Sequence, residues 1–158
     1  MDKLTLDALM IGRGLPVREL LGTFDPQGRR RAPNLPLARD AASLQQILRQ
    51  HRDRRFNLKT AAGAYGWTNL AVDRFDRSRD EVVLRNGDRV ATEALTKQLD
   101  ADASMGVLIQ ETLEPHEATS LVCGPLLSGL WMRALMRRSG PQILRCTRKV
   151  TTGANYVR

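Results

Sequence analysis

Asn86-Gly87, set between Glu81–Arg85 and Asp88–Ala91, constrains this chain more than any other short stretch. Asn and Gly both tolerate the positive φ of a tight hairpin turn, and the flanks are rich in β-formers. The chain is thereby committed to antiparallel sheet. Two other stretches extend that expectation. Phe56-Asn-Leu-Lys59 alternates, with Phe56 and Leu58 on one face and Asn57 and Lys59 on the other. It runs into a small-residue loop holding Gly63 and Gly66, and a return strand covers Trp67 to Phe75. Gly106-Val-Leu-Ile-Gln-Glu-Thr-Leu113 is too apolar for an edge strand and belongs inside a sheet.

Helical signals separate these strands. Residues 3–12 read as a short helix with Leu6, Leu9 and Met10 roughly on one side, ended by glycines. Pro16 to Phe24 is extended and closes in the turn Asp25-Pro26-Gln27-Gly28. Ser43 and Gln46 form a capping-box pair opening a helix through His51, with Leu44, Ile47 and Leu48 as its apolar positions. Thr92 caps a further helix reaching about Leu99, and Glu117 to Val122 forms a helical turn. Leu130–Arg137 and Gln142–Val150 are strands joined by Ser139-Gly140-Pro141. Helices and hairpins mixed in this order predict an α+β fold.

Charge is unevenly distributed. The net charge is +8, yet Ala118 to Arg158 holds no Asp or Glu and seven of the 25 basic groups, leaving 18 basic against 17 acidic groups elsewhere. Such a basic region suits an anion-binding wall or a nucleic-acid face. Against nucleic acid, the seven aromatic residues are scattered rather than grouped on one strand. The triple arginine Arg29-Arg30-Arg31 lies in a Pro-rich loop and reads as a solvated surface. No apolar run approaches the roughly 20 residues of a membrane span, and the acidic N-terminus does not resemble a signal peptide. Cys123 and Cys146 supply neither a disulfide framework nor metal spacing, so a reducing, cytoplasmic setting is expected.

The chain lacks the signature motifs of serine hydrolases, zinc peptidases, P-loop proteins and dinucleotide-binding folds. What remains is Lys59 at the end of a strand before a glycine loop. Backbone N–H groups of such a loop can approach phosphate oxygens while the lysine adds a point charge. A plain turn between strands has the same composition, and the residues alone leave both open.

In order along the chain, Asp2-Lys3 with its short helix, Gly14-Leu15-Pro16-Val17, Phe56–Lys59 with Gly63 to Trp67, Val107–Glu117, and Leu130–Met136 resemble the ATP-grasp superfamily. The closest likeness is to its sugar-transfer-associated branch, related to α-L-glutamate ligases. The resemblance implies an ATP-grasp-like α+β fold: an N-terminal α/β segment over 1–54, a small lobe with the glycine loop over 55–105, and a hinge strand opening the large lobe over 106–158. It also implies roles. Lys3 and Lys59 contact the phosphates of ATP, and backbone N–H groups around Gly63 and Gly66 close over them. Gln110 or Glu111 accepts from the adenine amino group, the backbone at Thr112 and Leu113 reads the rest of that edge, and Glu117 takes the ribose hydroxyls. Arg133 faces the transferring phosphoryl or acyl phosphate group as the catalytic residue.

Complete members of the family use Mg2+, held by an acidic residue and a later Glu-x-Asn-like pair. Here the expected position ends in Asn155-Tyr-Val-Arg158, without a carboxylate. The expectation is therefore the ATP-binding portion of a ligase-like protein in a polysaccharide or cell-surface sugar pathway. It acts on an unknown acceptor, is truncated before its metal ligands, and is inactive alone. The competing expectations are a non-catalytic remnant or scaffold, and a basic nucleic-acid-binding module.

Overall fold

A computed structural model describes residues 2–29, 34–62, 69–102, 106–114, 117, 121, 129–138 and 140–149. Gly63, Gly66 and Trp67, with His116, Cys123 and Asn155, lie outside the described residues. The chain divides into two compact units, Met1–Thr112 and Leu113–Arg158.

The first unit is built on a mixed seven-stranded sheet. In chain order its elements are α1 (Lys3–Gly12), β1 (Leu20–Phe24), β2 (Leu37–Ala38), α2 (Ala41–Gln50), β3 (Phe56–Thr60), β4 (Leu70–Asp76), β5 (Glu81–Leu84), β6 (Arg89–Ala91), α3 (Thr92–Asp102) and β7 (Val107–Glu111). The spatial order is β2-β1-β7-β3-β4-β5-β6. Only β1 and β2 run parallel; every other neighbouring pair is antiparallel. The α+β class holds, and strands from all three expected segments join this one sheet.

Local chemistry explains the elements. Gly87 sits at φ 92° in the β5–β6 turn, where Leu84 N–H donates to Asp88 O at 2.8 Å. Asn86 Oδ1 accepts from Asp88 N–H at 3.1 Å, completing the hairpin as read from the Asn-Gly pair. The capping box of α2 lies three residues earlier than the sequence reading placed it. Asp40 is the N-cap, its Oδ1 accepting from Ser43 N–H at 2.8 Å, while Asp40 N–H donates to Ser43 Oγ at 3.1 Å. An Asp carboxylate is a strong N-cap, and Ala41-Ala42 behind it favour helix, so the helix starts early.

One face of the sheet carries the core. Leu44, Ile47 and Leu48 of α2 and Leu95 and Leu99 of α3 pack with Phe24, Phe56, Leu58, Val72, Val82 and Ile109. Each such side chain, fully withdrawn from water, contributes roughly 1.5–3 kcal/mol. The strand Val107–Glu111 lies between β1 and β3, so the expectation that it is not an edge holds. In contrast, α1 buries none of its residues, and Leu9, expected on a packed side, is 62% exposed.

The second unit contains an antiparallel ribbon of β8 (Gly129–Arg137) and β9 (Gly140–Lys149) with an irregularity between Arg133 and Ala134. No helix among the described residues is long and apolar enough to cross a membrane.

Candidate functional site

Because β3 packs Phe56 and Leu58 into the core, Asn57 and Lys59 fall on the opposite face of the sheet. The same alternation on β7 sends Val107 and Ile109 to the core and Leu108 and Gln110 to the other side. The strands are adjacent, with Asn57 opposite Gln110 and Lys59 opposite Leu108. A polar strip thus lies in the middle of a sheet, where apolar side chains are the usual occupants.

The helix α1 is tied to this face by its first two turns. Asp2 caps it, accepting from Leu4 N–H at 2.9 Å, and forms an isolated bridge with Ala62. Lys3 N–H donates to Ala61 O at 2.8 Å, and Lys3 Nζ donates to Thr60 O at 2.5 Å. One turn on, Asp7 Oδ2 accepts from Gln110 Nε2 at 3.3 Å. Lys3 and Lys59, 56 positions apart in sequence, are thereby brought together.

The electrostatics of these half-buried lysines are unusual. Lys59 is pulled down to about 8, first by burial, then by the positive charge of Arg18; Asp7 opposes the shift and Lys3 adds to it. Burial also lowers Lys3, against the attraction of Asp2. Arg18 lies on the approach to β1, whose Leu20 pairs with Gln110. Gln110 is 2% exposed, and its Oε1 has no hydrogen-bond partner among the described residues. A buried acceptor left unpaired costs about 1–3 kcal/mol, so such an atom asks for an explanation. Beside it Asn57 Nδ2 donates to Thr112 Oγ1 at 2.9 Å, which satisfies the neighbouring amide donor.

The site residues read from sequence separate clearly. Lys3, Lys59 and Gln110 converge on one sheet face. Glu111 does not join them: it projects to the other face, where Oε1 accepts from Arg54 Nη2 at 2.6 Å. The same Arg54 nitrogen donates to Glu19 Oε2 at 2.6 Å. Of the pair Gln110 or Glu111, Gln110 shares the sheet face of Lys59, and its buried Oε1 has no hydrogen-bond partner among the described residues. The N–H of Thr112 is committed to Arg55 O at 3.0 Å. Leu113, Glu117 and Arg133 belong to the second unit; Leu113 is 44% exposed, Glu117 is exposed, and Arg133 lies on β8 opposite Arg145. Gly63 and Gly66 lie outside the described residues.

Sequence reasoning passed over Asp7 and Arg18. Asp7 carried a usable signal, since it stands four residues after Lys3 on a helix and so shares its face. Arg18 carried none, because its place depends on the pairing of β1 with β7. Among the described residues no three His, Cys, Asp or Glu side chains group to hold a metal ion. Comparison with protein-family models, with curated proteins and with solved structures gives no match.

Proposed function

We propose that this chain is the nucleotide-binding portion of an ATP-grasp-type, ligase-like protein. One observation carries the reading: the buried Oε1 of Gln110, without a hydrogen-bond partner among the described residues, shares a sheet face with Lys59 and Lys3. The 6-amino group of adenine is a donor that would complete Gln110, while phosphates would find positive charge at Lys59, Lys3 and Arg18. An anion there would offset the mutual repulsion of these cations.

The remaining roles follow the resemblance. The resemblance alone assigns further roles to Gly63, Gly66, Leu113, Glu117 and Arg133, which lie outside the described residues or in the second unit, so the reading rests on Gln110, Lys59 and Lys3. The reaction class is activation of a carboxylate as an acyl phosphate, passed to an acceptor in polysaccharide or cell-surface sugar chemistry. The Mg2+ implied by that family requires carboxylate oxygens. Ala118–Arg158 supplies none, and the described residues hold no acidic cluster, so the residues present do not fit the metal and no step is assigned to it.

Titration with ATP, with and without Mg2+, tests the reading. The parent should bind, and Lys59→Ala should bind about 10–100-fold more weakly, the worth of one charge-assisted contact of about 1.5–3 kcal/mol. Equal binding by parent and Lys59→Ala would remove Lys59 from the site.

A second reading, a basic module for nucleic acid, is favoured by the ribbon register, which sets Arg133 directly opposite Arg145. Like charges directly opposite across strands repel, and a polyanion would relieve them. Affinity for DNA or RNA that falls steeply between low and high salt would support it, and no binding at low salt would eliminate it.

A further inference from the structure

Two buried side-chain oxygens have no hydrogen-bond partner among the described residues, Gln110 Oε1 and Asn69 Oδ1. They come from different parts of the sheet, yet the strand register brings both to one face. Asn69 immediately precedes β4, whose first residue, Leu70, pairs with Leu58 and packs against the core. Alternation turns the residue before Leu70 to the opposite face, and one further step of that register carries it to the level of Lys59. Gln110 stands on the same face, on β7, at the level of Asn57. The two amides therefore flank β3 from either side, two strands apart and two residues out of step. At about 4.8 Å per strand and 3.4 Å per residue, their Cα atoms are roughly 12 Å apart. Between them, Asn57 gives its amide donor to Thr112 Oγ1 at 2.9 Å and completes neither oxygen.

A buried acceptor without a partner is a cost to the folded chain, and two on one face suit a ligand with a donor at each end. The gap is too long for a purine ring alone, and a purine with its ribose spans it. We propose that Asn69 reads the ribose of the nucleotide, pairing with one of its hydroxyls while Gln110 holds the adenine amino group. A hydroxyl both donates and accepts, so it completes either end of the Asn69 carboxamide. The assignment rests on the nucleotide-binding reading and adds to it the residue that tells a ribonucleotide from a deoxynucleotide. Glu117, to which the resemblance gives the ribose, belongs to the second unit, whereas Asn69 stands beside the sheet of the first.

Titration of the intact chain with ATP, 2′-deoxy-ATP and 3′-deoxy-ATP tests this before any residue is changed. One of the two deoxy forms should bind on the order of tenfold more weakly than ATP, because its missing hydroxyl leaves Asn69 unpaired. Asn69→Ala should bind ATP about tenfold more weakly than the parent and hold all three nucleotides alike. A merely structural Asn69 would weaken all three together and leave their ratio as it is in the parent. Equal binding of all three by the parent would overturn the inference and leave the nucleotide reading standing. Discrimination that survives in Asn69→Ala would give the hydroxyl to another residue and remove Asn69. A parent that binds none of the three would overturn the nucleotide reading, and this inference with it.

Discussion

Arg54 joins the start of β3 to the end of β7 through Glu111, with Nη2 2.6 Å from Oε1. The same nitrogen holds Glu19 at 2.6 Å, so one guanidinium ties three neighbouring strands or their approaches together. Both carboxylates reinforce the protonated guanidinium, and Arg54 in turn lowers Glu19 below the usual carboxylate range. These pairs are partly exposed and screened by solvent, so their removal is felt modestly. Arg54→Ala should lower the melting temperature by about 2–4 °C. Raising salt to 1 M should shrink the difference between parent and variant, because screening weakens surface pairs first. A salt-independent difference would assign the loss to packing of the side chain instead.

The two faces of α1 and of the sheet make opposite predictions for similar aliphatic residues. Ile109 is fully buried against α2 and α3, so Ile109→Ala should cost about 2–5 kcal/mol, measured by urea denaturation. Leu9 on α1 is 62% exposed, so Leu9→Ala should change stability by no more than about 0.5 kcal/mol. A large loss at Leu9 would mean that α1 buries its apolar side against something else in solution.

Local chemistry was the part that the sequence made readable. Alternation along Phe56–Lys59 set its two faces, and Asn86-Gly87 set the β5–β6 hairpin, because both signals lie within a few residues. The helix at 41–50 was legible through Leu44, Ile47 and Leu48, but its start was not. Ser43 satisfies either end of a capping box, and only the carboxylate of Asp40 decides which. Similarly α3 runs to Asp102 rather than Leu99, since the Glu93–Lys97 pair and Ala101 give it no reason to stop earlier. The site was legible only as a list. Lys3 meets Thr60, Asp7 meets Gln110 and Arg18 acts on Lys59 through strand order, and strand order is decided by long-range packing.

Gln110 separates a binding role from a folding role. Among the described residues its Oε1 has no partner and its Nε2 makes one long bond to Asp7, so Gln110 adds little to the fold. Gln110→Leu should therefore keep stability within about 1 kcal/mol of the parent. Under the nucleotide reading the same change removes the acceptor for the adenine amino group. The parent should prefer ATP to GTP, whose ring presents a carbonyl at that position, and Gln110→Leu should lose most of the preference. Competition binding with both nucleotides measures it, and a parent that takes ATP and GTP equally would dismiss Gln110 as an adenine reader.

Lys59 makes the folded state sensitive to alkaline pH in a direction opposite to that of a salt-bridged lysine. Its folded value is about 8, against 10.5 for the ordinary side chain. Between these values the unfolded chain binds more protons than the folded one, so stability rises with pH across that window. Below about pH 8 both states are protonated and the full cost of holding a charged Lys59 beside Arg18 is present. Above about 10.5 neither is charged and the cost is gone. Lys3, also lowered by burial, acts in the same sense. The size is of order 1 kcal/mol, because Lys59 is only partly buried and solvent screens the remainder. Lys59→Met removes the charge at every pH. It should be more stable than the parent at pH 7, and the gap should close between pH 8 and 10.5 in chemical denaturation at stepped pH. A gap that stays constant across that range would show that burial does not disfavour the charge on Lys59.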